Sequence, residues 1–239
     1  MPFLETPNIR VDRVDSYGSE IVLVSFAERK THTADLAEKG WGQDFASFHR
    51  IDGFYIKSAG NHWYQYPEMK GAMAAIREAA GSQHLVTYGC SMGAYAAIKF
   101  AGALGAKRAV AVSPLFTPDP SKPPYEQRWK VDASRTAFID DEMDGTPEVH
   151  VFILSDPTHP DARHTKLLRR TFPRTTVVPL PFASHPVGPF LREAELLTEF
   201  TLRLLYGNFD NRVFCDARRA RRSRSQIYLE RRKELLAGR

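Results

Sequence analysis

With 239 residues, the chain has room for one α/β domain with a substantial core. Its 43% hydrophobic and 26% charged residues are ordinary for a folded globular protein. No apolar run approaches the ~20 residues needed to span a bilayer, and the N-terminus, Met1 to Asn8, shows neither the basic nor the apolar region of an export signal. Two cysteines, Cys90 and Cys215, argue against a disulfide framework and suit a reducing, cytoplasmic compartment. The net charge of +5 belongs to one end: residues 212–239 hold nine Arg and one Lys against three acids, which leaves the rest of the chain slightly acidic. Basicity therefore gives no ground for a nucleic-acid-binding body.

The segment Asn8 to Val14 alternates apolar and polar residues (Ile9, Val11, Val14) and predicts an edge strand. After turn chemistry at Asp15–Ser19, Ile21 to Ala27 is a continuous β-branched apolar run, the pattern of a strand buried on both faces of a parallel sheet. A polar connection over 28–43 ends in Gly40-Trp41-Gly42. Gly53 to Ala59 predicts a second central strand, followed by an aromatic loop, Asn61-His62-Trp63-Tyr64-Gln65. Met69, Ala72, Met73 and Ile76 fall at helical spacing and predict a helix from about Pro67 to Ala80.

The most informative stretch comes next. A β-rich run, Leu85 to Tyr88, ends in Gly89-Cys90-Ser91-Met92-Gly93 and passes into an alanine-rich helical run, Ala94 to Ala103. A serine on a sharp turn between strand and helix needs neighbours without side chains, because helix and strand must pass close together. Gly89 and Gly93 supply that clearance, and the turn lifts Ser91 to the sheet edge beside a helix N-terminus. Cys90 flanks the turn's centre and reads as a small buried filler rather than the nucleophile.

Lys107 to Val112 predicts another strand, stopped by Ser113-Pro114. Residues 115–147 then change texture. Prolines cluster (Pro118, Pro120, Pro123, Pro124), aromatics are interleaved (Phe116, Tyr125, Trp129, Phe138), and an acidic run spans Asp140–Asp144. An insertion of this length in a compact domain reads as a lid over a site, the alternative being a loose surface loop. Val149 to Leu154 is a strand ended by Ser155-Asp156-Pro157, Ala162 to Thr171 a helix, and Thr175 to Leu180 a last strand whose Pro179 implies an edge or an irregular position. His185 lies in the proline-bounded loop that follows. A strongly amphipathic helix from about Phe190 to Tyr206 closes with Gly207-Asn208. Strands alternating with helices imply a parallel sheet covered on both faces, with ligands at the strands' C-terminal ends.

A serine hydroxyl becomes nucleophilic when a base accepts its proton, and the base needs a third group to orient it. The order here is Ser91, then Asp156 or Asp161, then His185, each following a different strand. Parallel strands put all three at one sheet edge. Asp156, right at the strand end, is the preferred acid over Asp161, which also sits where it would cap the following helix. His159 and His164 lie nearer the acids but precede the last strand and are the weaker candidates.

On these residues the chain resembles the α/β-hydrolase superfamily over roughly residues 8–206. It is similar in particular to small bacterial hydrolases with a Gly-x-Ser-Met-Gly-x-Tyr elbow and a late Asp-Pro…His pattern. The resemblance implies a three-layer α/β fold with a mostly parallel sheet, reduced N-terminal strands and a small lid. It implies Ser91 as nucleophile, His185 as general base and acid, and an aspartate after the Val149–Leu154 strand. It also implies an oxyanion hole from the Met92 amide and one from Phe26 or Ala27, although the His-Gly pair often found there in the family is absent. A small ester or acyl compound would be the substrate, cleaved as carboxylester or thioester through an acyl-enzyme. The alternative is a non-catalytic scaffold of the same fold whose tail or aromatic loop engages a partner.

Asn61, Trp63 and Tyr64 should face the catalytic edge. There the aromatics would line an acyl or leaving-group pocket and Asn61 or Gln65 would orient polar atoms, or else the aromatics seal the core. No Cys/His set has zinc spacing and no phosphate loop or dinucleotide fingerprint occurs, so no metal or cofactor is expected. The chain therefore divides into a hydrolase-like body over 1–207 and a basic tail over 208–239. From Ala217 the tail predicts a helix with Ile227, Tyr228 or Leu229, Leu235 and Leu236 on one face. Its charge would suit an anionic partner (nucleic acid, anionic lipid or acidic protein), or it is a solvated helix packed on the body.

Overall fold

The computed structural model describes residues 1–31 and 35–237. The centre of the expected 28–43 connection, residues 32–34, and the last two residues of the basic tail lie outside the described residues. The chain opens with strands β1 (Leu4–Glu5), β2 (Ile9–Val14) and β3 (Ile21–Phe26), then helix α1 (Gln43–Phe48) and β4 (Asp52–Ser58). Next come α2 (Met69–Ala80), β5 (His84–Cys90), α3 (Met92–Lys99), α4 (Ala101–Leu104) and β6 (Arg108–Val112). The insertion carries one helical turn, α5 (Lys130–Ala133), and leads to β7 (His150–Ser155), α6 (Asp161–Thr171) and β8 (Thr175–Pro179). The last elements are α7 (Gly188–Glu193), α8 (Leu197–Tyr206), α9 (Asn211–Arg221), a 3-10 turn (Arg222–Arg224) and α10 (Gln226–Ala237).

One eight-stranded sheet runs β1-β2-β4-β3-β5-β6-β7-β8. The pairs β1/β2 and β2/β4 are antiparallel, and every other pair is parallel. Strand β3 is buried along its whole length, as its unbroken apolar sequence requires. Val22, Val24 and Phe26 face one layer, with Met73 and Ile76 of α2, the alanines of α3, and Leu168 of α6. Ile21 and Leu23 face the other, with Phe190 of α7, Phe200 of α8 and Phe214 of α9. Three layers result.

The predicted edge strand, β2, is one position inside the sheet, because the two-residue β1 pairs outside it. The expected Phe190–Tyr206 helix is two helices, broken where Glu195 takes φ 57°. Apolar periodicity is blind to such a break, since both halves bury the same kind of face. The basic tail docks on the body. Phe214 stacks edge-on against Phe200 at 4.7 Å, and Tyr228 meets Phe182 at 5.8 Å. The Ser225 hydroxyl donates to Glu193 at 2.6 Å. The tail thus follows the packed-helix alternative, with Arg219, Arg222 and Arg232 turned to solvent. Among the described residues no helix is long and apolar enough to cross a membrane.

The contact that places the site is the close passage of α3 over β3 and β5. A Cβ on Gly89 would stand 2.2 Å from the Gly93 carbonyl, and one on Gly93 would stand 2.2 Å from the Phe26 oxygen. Both obstacles are backbone and cannot move aside cheaply. Gly93→Ala should therefore cost stability by about 3 kcal/mol in urea unfolding, the upper range for overpacking. Gly71→Ala, at an exposed helical position with nothing within 4 Å, should gain about 0.5–1 kcal/mol from helix propensity. A neutral Gly93→Ala would refute the close-passage account.

Candidate active site

Ser91 sits between β5 and α3 with φ 51° and ψ −112°, a strained conformation for a residue with a side chain. Two bonds hold it there: its amide donates to the Val112 carbonyl at 2.9 Å, and its carbonyl accepts the Tyr95 amide at 3.1 Å. The first ties the turn to β6, and the second starts the helix.

His185 comes from the loop after β8. Its Nε2 is 3.0 Å from Ser91 Oγ, and its Nδ1 is 2.7 Å from Asp161 Oδ2. A carboxylate can only accept, so the Nδ1 proton faces Asp161 and Nε2 is left as acceptor for the serine hydroxyl. The hydrogen-bonded chain is Ser91–His185–Asp161.

The aspartate preference is thereby reversed. Asp156 does not reach His185. Its carboxylate accepts the Phe182 amide at 3.1 Å and the Ser184 amide at 2.9 Å, and it also accepts the Thr158 amide and hydroxyl, each at 2.7 Å. Asp156 folds the loop that carries His185, and Asp161, one helical start further on, faces the imidazole. Asp161 is the first residue of α6, where the free amides and dipole of an eleven-residue helix favour a negative charge. Its side chain has no exposed surface. Burial alone would raise its pKa, but the adjacent His159 imidazole, the hydrogen bond from His185, and the charges of His185 and Arg128 hold it well below the ordinary carboxylate value.

The 115–147 insertion lies against this chain. The Trp129 ring is 5.8 Å from that of His185, and Arg29 lies over Trp129 at 5.3 Å while its Nε bonds Asp132 at 2.6 Å. At its far end the insertion is fastened to the helix that follows Ser91. Tyr95 donates to Asp141 at 3.0 Å, and Gln65 exchanges bonds with the Asp140 backbone at 2.9 and 3.0 Å. Arg128, Asp141 and Tyr95 thus shape the site without belonging to the expected set. Only Tyr95 carried a signal, one helical turn after Ser91.

No family model and no curated protein matches the sequence. Solved structures do match the fold. An arylesterase superposes with TM-score 0.60 at 13% identity, covering 87% of this chain and 83% of its own. The capsule O-acetyltransferase of Neisseria meningitidis serogroup A gives 0.59 at 9% identity, with coverage of 84% and 93%. The glycosylation-associated Gap123 complex of Streptococcus agalactiae gives 0.59 at 14% identity over 84% of this chain, which spans only 45% of that one. The fold is that of the α/β-hydrolases. At such identities the likeness establishes the fold alone.

Within this α/β-hydrolase frame the expected oxyanion donors divide. Met92 is the first residue of α3, where helix geometry leaves amides without an intrahelical acceptor. Phe26 and Ala27 do not fit the second place. Phe26 is paired inside the sheet with Ile56 and Gly89, and the Ala27 amide donates to the Ile56 carbonyl at 3.0 Å. The ladder runs to the end of the apolar pattern, so both amides are spent inside the sheet. Glu28 is the first residue beyond it, and it shares with Ala27, Met92, Trp41 and Asn61 a cavity of about 50 Å³.

Asn61 lines that cavity while clamping Lys30, accepting its amide at 3.0 Å and donating to its carbonyl at 2.8 Å. Tyr64 is a core residue and does not line that cavity: it is 1% exposed, and its hydroxyl donates to the Ala27 carbonyl at 2.7 Å. Trp63 is fully buried, edge-on to Tyr95 at 6.0 Å and 6.4 Å from Trp129. It supports the insertion. Burial, with the charges of Glu28 and Asp161, pushes the Cys90 thiol well above its usual pKa, so it is held as a neutral filler. One group among the described residues, His159, Asp161 and His185, brings three metal-ligand-type atoms within 4.8 Å. The Arg128 guanidinium, 2.8 Å from Asp161, already supplies the positive charge at that point.

Glu126 of the insertion, bonded to His164 and Arg128, is likewise held below the usual carboxylate range against the cost of burial. Both acids bind protons in the unfolded chain at a pH where the folded chain does not, so stability is present above the unfolded pKa and lost as pH falls. The urea midpoint should drop from about pH 5 to pH 3, and the drop should be shallower in Asp161→Asn. Equal slopes in the two proteins would contradict the low Asp161 pKa.

Proposed function

We propose that the protein is a serine hydrolase that cleaves an ester-type bond, carboxylester or thioester, through an acyl-enzyme on Ser91. The observation that carries this reading is the continuous Ser91–His185–Asp161 chain, with spacings of 3.0 and 2.7 Å, at the C-terminal edge of a parallel sheet. Ser91 Oγ attacks the carbonyl carbon as its proton passes to His185 Nε2. The tetrahedral oxyanion forms beside the Met92 amide at the start of α3. Its collapse breaks the ester bond, and the leaving alcohol or thiol takes the proton from His185. Water then enters, gives a proton to the same nitrogen and releases the acid, restoring Ser91. Asp161 fixes the Nδ1–H tautomer and stabilises the imidazolium throughout.

One observation favours a second reading, transfer of the acyl group to an acceptor other than water. The O-acetyltransferase among the structural neighbours is consistent with that use of the fold.

Fluorophosphonate labelling mapped by mass spectrometry tests the core of the proposal. The adduct should form on Ser91 and vanish in Ser91→Ala and His185→Ala, whereas no adduct would favour a non-catalytic scaffold. On a small-ester panel, Ser91→Ala should lower kcat by on the order of 10⁶. Asp161→Asn should lower it by about 10⁴, through loss of the correct imidazole tautomer. Asp156→Asn should lower the melting temperature and cost less activity than Asp161→Asn. The reverse ranking would return the role of acid to Asp156.

A further inference from the structure

Only one oxygen of the Asp161 carboxylate is used by His185. The other, Oδ1, is buried and has no hydrogen-bond donor aimed at it. What it has is an ion pair: Arg128 Nη2 lies 2.8 Å away with its N–H directed elsewhere, and His159 Nδ1 lies at 3.2 Å. A buried carboxylate with one oxygen lacking an aligned donor stays ionised only if positive charge faces it. Arg128 brings that charge from the insertion, across more than thirty residues of sequence.

Arg128 is itself held in place. Its Nε bonds both carboxylate oxygens of Glu126 at 2.9 Å, its Nη2 meets the same carboxylate, and its amide donates to Glu126 at 2.7 Å. Glu126 is anchored in turn by His164 Nε2 at 3.0 Å. His164 Nδ1 accepts the Phe116 amide at 2.9 Å, so the ring's proton lies on Nε2 and points at Glu126. Backbone, His164, Glu126 and Arg128 form a rigid strut from the insertion's first turn to the back of Asp161.

We propose that Arg128 is a positioning residue for the Ser91–His185–Asp161 chain: a guanidinium delivered by the insertion that keeps Asp161 charged and turned toward His185, so that Ser91 has an oriented base only while the insertion is docked. The proposal rests on the serine-hydrolase reading above. It gives the insertion a part in assembling the site as well as covering it.

The charge balance fixes the sign of the effect. The groups facing the Asp161–His185 pair are Arg128 and Glu126 from the insertion, His159 from the turn before α6, and the Cys90 thiol from β5 with Glu28 beyond it. Reaction requires His185 with a free Nε2. Asp161 and Glu126 favour the imidazolium and Arg128 opposes it. Removing the guanidinium leaves the carboxylates unopposed, and the reaction at Ser91 should need a higher pH.

The test needs no knowledge of the natural substrate. The second-order rate of fluorophosphonate labelling at Ser91 is measured from pH 5 to 9 on the full chain, for wild type, Arg128→Gln, Arg128→Lys and Arg128→Met. Arg128→Gln should move the midpoint of the acid limb up by about one unit and lower the plateau about tenfold. Arg128→Lys should keep the midpoint near wild type while recovering only part of the plateau. Arg128→Met, which keeps most of the side chain's length without its charge, should move the midpoint up as Arg128→Gln does, and it decides the matter if Arg128→Gln does not fold. A purely structural role would change the unfolding midpoint and leave the labelling midpoint in place. An unmoved midpoint in Arg128→Gln, or in Arg128→Met where the first is not folded, overturns the Arg128 assignment while Ser91 labelling stands. Absence of labelling on wild-type Ser91 overturns both.

Discussion

Asp161 keeps a negative charge where it has no exposed surface, and an isolated ion in such a place would cost several kcal/mol. That cost is offset by partners drawn from separate parts of the chain: His185 from the loop after β8, Arg128 from the insertion, His159 from the turn before α6, and the start of α6 itself. Each partner needs the others. The carboxylate orients the imidazole, the imidazole and guanidinium keep the carboxylate ionised, and Glu126 keeps the guanidinium from leaving. The candidate site is one electrostatic cluster rather than three residues that happen to meet.

The sheet makes the meeting possible. Because β3 and β5 to β8 run parallel, their C-terminal ends lie along one rim, and residues far apart in sequence emerge side by side. Two aspartates after β7 compete for the imidazole, and the loops decide between them. Asp156 is consumed by four donors that shape its own turn and the His185 loop, so its oxygens are saturated before His185 is reached. Ser113 Oγ adds to the same support by accepting the Val187 amide at 3.1 Å. The residue at the strand end builds the loop, and the residue at the helix start faces the imidazole.

The insertion and the tail show how one chain uses two irregular regions differently. The insertion is tied down by polar bonds to Tyr95, Gln65, Arg29 and Asp161, groups that sit next to Ser91 and His185. Bonds of that kind can open and close. The tail is fixed by aromatic packing of Phe214 and Tyr228 into the layer behind α7 and α8, with Arg218 and Arg221 bonded to body carbonyls and Arg219, Arg222 and Arg232 facing out. It completes a core face and braces Phe182 at the root of the His185 loop.

The sequence by itself determined the class of fold, most strand positions and the elbow. Those depend on local patterns: an unbroken apolar run for a buried strand, and glycines at 89 and 93 where backbone passes backbone. It also picked out Ser91 and His185, which follow strands whose direction the βα alternation already sets. Only the tertiary structure decided which aspartate faces the imidazole, because Asp156 and Asp161 are chemically alike and differ in the amides that surround them. Folding also decided that Tyr64 is core, that the Ala27 amide is consumed by the sheet, and that Arg128 reaches Asp161. Each of these follows from long-range proximity, and no periodicity or spacing along the chain records which distant groups will share a buried charge.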